Sequence, residues 1–248
     1  MRLFKLLLLL TLTQAAFSQE IPKDSIALKE KTGLNYKSLI IPSAFLAYGI
    51  LGINGEEIKE IDYSLQEKIS KNERPPLVID DYLQYSPIIS VYALDFLGIK
   101  SKNNFKDRSI LIASSILFGG TITKILKNNR LVIRPNRKNK FSFPSGHTTV
   151  AFIGAEFMYQ EYKAVSIWYG VTAYAVAGAT GFLRIYNDHH WPSDVIAGAG
   201  LGILSTKLIY FIYPKIKKAF SNKESRISTN IVPFFGDRQA GVGLSVNW

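Results

Sequence analysis

No cysteine occurs in the chain, which excludes disulfides, thiolate nucleophiles and cysteine-ligated zinc together. It also excludes a lipid anchor carried on an N-terminal cysteine. Histidine is scarce: three residues in 248, His147, His189 and His190. Carboxylates are outnumbered, 19 Asp and Glu against 30 Lys and Arg, for a formal net charge of +11. They form no cluster of the kind a magnesium site uses, so no metal and no cofactor are expected. Several of the apolar runs fall short of the about 20 residues that a spanning helix wants. A basic excess fits nucleic acid, a membrane surface or an anionic substrate. Here the basic residues sit in loops between apolar segments, which argues against nucleic acid.

What the chain does have is apolar surface. It is 47% hydrophobic and 20% charged, with mean hydropathy +0.09, between a soluble enzyme and a transporter. Arg2, Lys5 and the run Leu6–Leu10 read as an export segment, and Ala16-Phe17-Ser18 as a cleavage site that starts the mature chain near Gln19. An uncleaved signal anchor is the alternative. Six apolar stretches follow, near 38–54, 85–99, 109–126, 148–160, 164–183 and 194–213. Asp95, inside the second, needs a partner. Residues 56–70 place Ile58, Ile61, Leu65 and Ile69 at helical spacing, an amphipathic helix that packs on its own domain or lies at a membrane surface. In the tail, Ile227–Phe235 and Ala240–Trp248 alternate as strands around a turn at Gly236–Gln239.

Charge between the stretches gives a direction. Lys100, Lys102, Lys106 and Arg108, then Lys163, then Lys215, Lys217, Lys218, Lys223 and Arg226 fall on one side if all six stretches span, the cytoplasmic side by the positive-inside rule. The loops at 127–147 and 184–194 then face out of the cytoplasm. A cleaved signal followed by six spans would reverse this, so either the segment is not a conventional cleaved signal, or one stretch does not span, or the bundle is not transmembrane.

All three histidines lie in two short windows, and a basic window precedes them. Lys127–Pro135 reads by itself as a solvated basic loop, or as a place where Lys127 and Arg134 neutralise an anion. In Phe143–Thr149, Ser145 sits as the N-cap of an apolar helix. The free N–H groups and dipole of that helix end suit an anion, Gly146 allows close approach, and His147 lies in the first turn. In Arg184–Asp194, His190 and Asp194 are four apart on one helical face. A carboxylate on one imidazole nitrogen would leave the other free as a nucleophile. A structural hydrogen bond is the plainer alternative.

Taken in order, the windows spell K-x6-RP, PSGH and R-x5-H-x3-D, and here the sequence resembles the type 2 phosphatidic acid phosphatase superfamily, which includes lipid phosphatases, bacterial acid phosphatases and vanadium haloperoxidases. Lys127, Arg134, Pro135, Pro144, Ser145, Gly146, His147, Arg184, His190 and Asp194 match. Leu183 departs, standing where the family usually has serine, which implies one phosphate hydrogen bond fewer or one supplied elsewhere. His189 has no role in the pattern and is read as lining the site.

The resemblance implies an all-α bundle with six main helices over the catalytic domain, 19–220; the residues themselves give 1–18 as export signal or signal anchor and 221–248 as a hairpin-like tail, and the apolar stretches and amphipathic helix favour a membrane-embedded bundle. The resemblance implies a phosphatase acting on a phosphorylated lipid among membrane lipids. His190 is then the nucleophile, Asp194 its orienting partner and His147 the acid and base. Lys127, Arg134, Arg184, Ser145 and the amides of Gly146 and His147 hold the phosphate. A soluble exported acid phosphatase, a vanadate haloperoxidase and a non-catalytic membrane protein are the competing readings.

Overall fold

The computed structural model describes residues 36–70, 77–129, 132–224, 228–236 and 239–247; the export segment at 1–18 lies outside them. Among the described residues the chain forms eight helices and one two-stranded hairpin. The helices are α1 (Lys37–Gly52), α2 (Glu56–Ser70), α3 (Asp80–Leu83), α4 (Ser86–Phe96), α5 (Phe105–Asn128), α6 (Gly146–Tyr162), α7 (Ile167–Tyr186) and α8 (Pro192–Glu224). The chain divides into two compact units, one ending at Ile209 and one beginning at Tyr210. All six apolar stretches are helices, and so is the amphipathic segment. In the second unit, β1 (Ser228–Gly236) and β2 (Gln239–Asn247) pair antiparallel, with Gly236 opposite Gln239 at the turn.

The first unit is organised around α6. Eleven of its residues are buried, from Thr148 near its start to Tyr162 at its end. A helix apolar on all sides belongs inside a bundle, and α4, α5 and α7 pack on it. Helix α8 reaches it by close approach of backbones. A Cβ on Gly202 would stand 2.5 Å from the Thr149 carbonyl oxygen, and one on Gly198 2.6 Å from that of Ser145.

Charges inside the bundle are paired, as burial demands. Glu156, 1% exposed, accepts from Lys207 at 2.9 Å and from Gln160 and Tyr174, tying α6, α7 and α8 together. The partner that Asp95 needs is Arg108, at 2.7 Å. Arg108 also bonds Ser101 and stacks on Tyr92. Helix starts carry their own signals. The Asn104 side chain accepts from the Asp107 amide at 2.9 Å and donates to its carboxylate, a reciprocal cap.

Two helices, α5 and the Pro192–Ala219 part of α8, are long and apolar enough to cross a membrane; α1 and α2, bent by 94°, make a third if the pair is one span. This is fewer than the six spans that hydropathy and loop charge suggested, because α4 is short and α6 carries its apolar residues toward other helices. The outer surface is nonetheless greasy: Phe96, Phe105, Leu117, Ile125, Trp168 and Phe182 are all exposed.

Helix α2 is turned the opposite way to a helix packing on its own domain. Its buried residues are Asp62 and Gln66, while Ile61 and Leu65 face outward. The polar side grips the protein: Asp62 accepts from the Ser193 amide and hydroxyl at 2.9 and 2.5 Å, and Gln66 bonds Asp188 and the Ile185 carbonyl.

The close approach of α8 to α6 sets a paired test. Gly202→Ala should lower stability by about 1–3 kcal/mol, since the new methyl meets backbone that cannot retreat. Gly120→Ala, on α5 with no atom within 4 Å of the added Cβ, should raise it by about 0.5–1 kcal/mol. Thermal unfolding in one detergent compares them; equal behaviour would contradict the packing.

Candidate active site

Two chain reversals build the site. Helix α7 ends in a Schellman arrangement: the Asp188 amide bonds the Ile185 carbonyl and the His189 amide that of Arg184, both at 3.0 Å. Asp188 takes the left-handed conformation, φ 55°, which a short polar side chain tolerates better than most. This turn folds His189 and His190 back over the last turn of α7, and Pro192 then opens α8. The second reversal is residues 132–145. It is fastened to the first by the Asn136 amide on the Asp188 carbonyl, by Trp191 Nε1 on the Ile133 carbonyl at 2.8 Å, and by the Ser145 amide on the Asp194 carbonyl at 3.0 Å. The starts of α6 and α8 are thus joined backbone to backbone.

His190 is 1% exposed. Burial pushes its pKa well below the ordinary 6.5, and the charges of Lys127, Arg134 and Arg184 push the same way, so the ring is neutral at physiological pH. Its Nδ1 lies 3.7 Å from Asp194 Oδ2, near but beyond hydrogen-bond length. The expected pair is brought together and not bonded. That oxygen already accepts from the Ser142 hydroxyl at 2.5 Å and the Trp191 amide at 2.9 Å.

Arg184, 4% exposed, donates to Asp80 at 2.5 Å and lies 3.5 Å from Asp81. His147, at the start of α6, contacts Asp81 Oδ1 through Nε2 at 2.9 Å. Burial and then Arg184 lower its pKa, against the Asp81 hydrogen bond and the charges of Asp81 and Asp80. His189 is lowered by burial, Arg184 and Arg134. One guanidinium therefore acts on all three imidazoles.

The remaining expected residues fall around this centre. Lys127 Nζ donates to the Phe141 carbonyl at 2.8 Å. A Cβ on Gly146 would lie 3.9 Å from Lys127 Cε and 3.8 Å from Thr123, so this backbone position faces the lysine. Ser145 occupies the N-cap position, yet its side chain caps no amide; its hydroxyl accepts from Thr148 at 2.8 Å and keeps its own proton to donate. Arg134 Nε, Arg184 Nε, His190 Nδ1 and Thr123 Oγ1 are buried without a protein partner. Among the described residues no three His, Asp or Glu side chains come together as a metal site.

Residues 108–218 match the PAP2 superfamily. The matched stretch takes in all three motif windows. Among curated relatives, the lipid A 1-phosphatase of Porphyromonas gingivalis is 36% identical over 137 residues, covering 54% of this chain and 30% of the relative. The lipid A 1-phosphatase of Helicobacter pylori is 27% identical over 156 residues, covering 60% and 78%. The chain thus spans less than a third of the length of the first of them. Among solved structures, a transmembrane PAP2-type phosphatidylglycerolphosphate phosphatase from Bacillus subtilis is similar over 75% of this chain and 98% of its own, at 21% identity and TM-score 0.48.

Asp62, Gln66, Asp80, Asp81 and Ser142 hold parts of this site, Thr123 adjoins Gly146, and none of the six was read from sequence. Only Thr123, four residues before Lys127, and Ser142, three before Ser145, stood near a motif. Asp81 gives a test. Asp81→Asn removes the largest contribution holding a proton on His147, so the His147 pKa should fall while His190 stays put. The three histidines permit assignment by NMR. The alkaline limb of any kcat profile that needs protonated His147 should move to lower pH. An unmoved His147 would refute the contact.

Proposed function

We propose that this chain is a PAP2-superfamily protein and a metal-independent phosphatase of membrane lipid phosphates, working through a phosphohistidine on His190. The observation that carries the reading is a neutral, buried imidazole within reach of the charges of Lys127, Arg134 and Arg184. A neutral ring is a nucleophile; three cations stabilise the charge on the equatorial oxygens of a phosphoryl group in transfer.

His190 attacks phosphorus, and the bond to the leaving oxygen breaks as His147 gives it a proton. The phosphorylated ring gains positive charge, which draws Asp194 from 3.7 Å into a direct bond. His147 then takes a proton from water, which attacks phosphorus and releases His190 and inorganic phosphate. The Ser145 hydroxyl and the Gly146 and His147 amides hold oxygens alongside the cations. Thr123 Oγ1, buried and unpartnered beside Gly146, supplies the hydrogen bond that Leu183 cannot. Lipid is favoured over a soluble ester by the many exposed apolar side chains, by the helices long and apolar enough to span and by the lipid A 1-phosphatase relatives.

A labelled lipid phosphate should leave acid-labile, base-stable label on the protein in a rapid quench, and His190→Ala should show none. Label retained by His190→Ala would end the assignment.

The site is read as facing out of the cytoplasm. With no native cysteine, single introduced ones report sidedness. An impermeant thiol reagent applied to spheroplasts should modify Lys140→Cys, in the active-site loop, and spare Lys106→Cys, at the start of α5; both lysines are exposed. The reverse pattern would put the chemistry in the cytoplasm.

A further inference from the structure

A cavity of about 470 Å³ adjoins the site without reaching its leaving-group side. Arg134 and Asp194 line it; His147, Arg184 and His190 do not. One wall is a turn of α2, with Lys59, Asp62 and Tyr63; the other is the 132–137 loop, with Arg137 beside Arg134. Trp191 closes one end, edge-on to Tyr63 at 4.9 Å between ring centres.

The charges of this cavity are unequal in what they are free to do. Asp62 has one oxygen on the Ser193 amide and the other on its hydroxyl. One oxygen of Asp194 is engaged by Ser142 and Trp191. Lys59 and Arg137 have no side-chain partner among the described residues, and Arg134 Nε is buried without one. Arg137 also holds an unfavourable backbone, φ 54°, closed by its amide on the Arg134 carbonyl at 2.9 Å. Glycine or asparagine would make this turn at lower cost, and residues kept in sparsely populated conformations concentrate at functional sites.

We propose that Lys59, Arg137 and Arg134 form a second phosphate subsite, which takes a phosphate-bearing lipid headgroup other than the phosphate under attack. This rests on the phosphatase reading for its second phosphate but not for its ligand class. Arg134 is shared, so a headgroup here fixes the guanidinium that also serves the reacting phosphate. The lipid class follows from α2. Lys59 and Tyr63 face the cavity while Ile61 and Leu65 on the same helix face outward, which sets the cations at the depth where headgroups lie against an interfacial helix. The headgroup comes from the distal phosphate of a doubly phosphorylated substrate or from a neighbouring anionic lipid.

Full-length wild type, Lys59→Ala and Arg137→Ala are compared in phosphatidylcholine vesicles. The substrates are a lipid monophosphate, the same with phosphatidylglycerol added, and a lipid bisphosphate. Loss of kcat/KM by roughly ten- to a hundredfold, the value of one charge-assisted hydrogen bond, is expected only where a second phosphate with net negative charge is present; the phosphatidylcholine phosphate is neutralised by its own choline. Loss confined to the bisphosphate assigns the subsite to the substrate; loss of phosphatidylglycerol stimulation assigns it to the bilayer. Equal loss on all three, or none, overturns the proposal. Native mass spectrometry of phosphatidylglycerol retained by the same proteins reads the subsite without turnover. A wild type that cleaves nothing yet retains lipid in a Lys59- and Arg137-dependent way refutes the phosphatase reading alone. Retention unaltered by either substitution refutes the subsite.

Discussion

Three cations trained on one buried, neutral imidazole are the constraint that the rest of this structure serves. Lys127, Arg134 and Arg184 all act on His190, and like charges gathered at low dielectric repel one another strongly. They stay in place because each is held from behind: Arg184 by Asp80, Lys127 by the Phe141 carbonyl, and the Arg134 loop by Trp191 and Asp188. The bundle provides the rigid backing. Within it Glu156 is paired with Lys207, while at the site Arg134 Nε, Arg184 Nε and His190 Nδ1 are buried without a protein partner.

Much of this was legible in the sequence because the relevant signals are local. The apolar periodicity marks every long helix, and the three spaced motifs pick out residues that the fold brings to one end of the bundle. The Ser145 amide on the Asp194 carbonyl explains how: the motifs flank the starts of two helices that share a backbone hydrogen bond. What was not legible depends on distance along the chain. Asp80 and Asp81 belong to no pattern, and their meaning comes only from Arg184 and His147. The orientation of α2 was equally hidden. Its spacing shows an apolar stripe, but not that Asp62 and Gln66 would turn inward to hold the loop after α7. The pair His190–Asp194 shows a limit of another kind. Spacing puts the two groups on one face and says nothing of Ser142, which takes the oxygen first.

Small residues set how close these parts come. Gly198 and Gly202 let α8 lie against α6 at backbone contact, and the carboxylate and imidazole carried just before and within the first turn of α8 inherit that placement. A larger side chain there would open a gap at the motif end, where errors of about 1 Å already matter to a reacting group. Helix packing and the geometry of the candidate site are thus one specification.

The bonds that close the site are among the longest in the chain by sequence. Asp62 waits 131 residues for Ser193, Asp80 waits 104 for Arg184, and Ser142 waits 52 for Asp194. During synthesis the first half of the protein therefore emerges with its key carboxylates facing nothing. They can be committed only once the turn after α7 has left the ribosome. Until then the polar side of α2 lacks the partners, Ser193, Asp188 and the Ile185 carbonyl, that hold it inward.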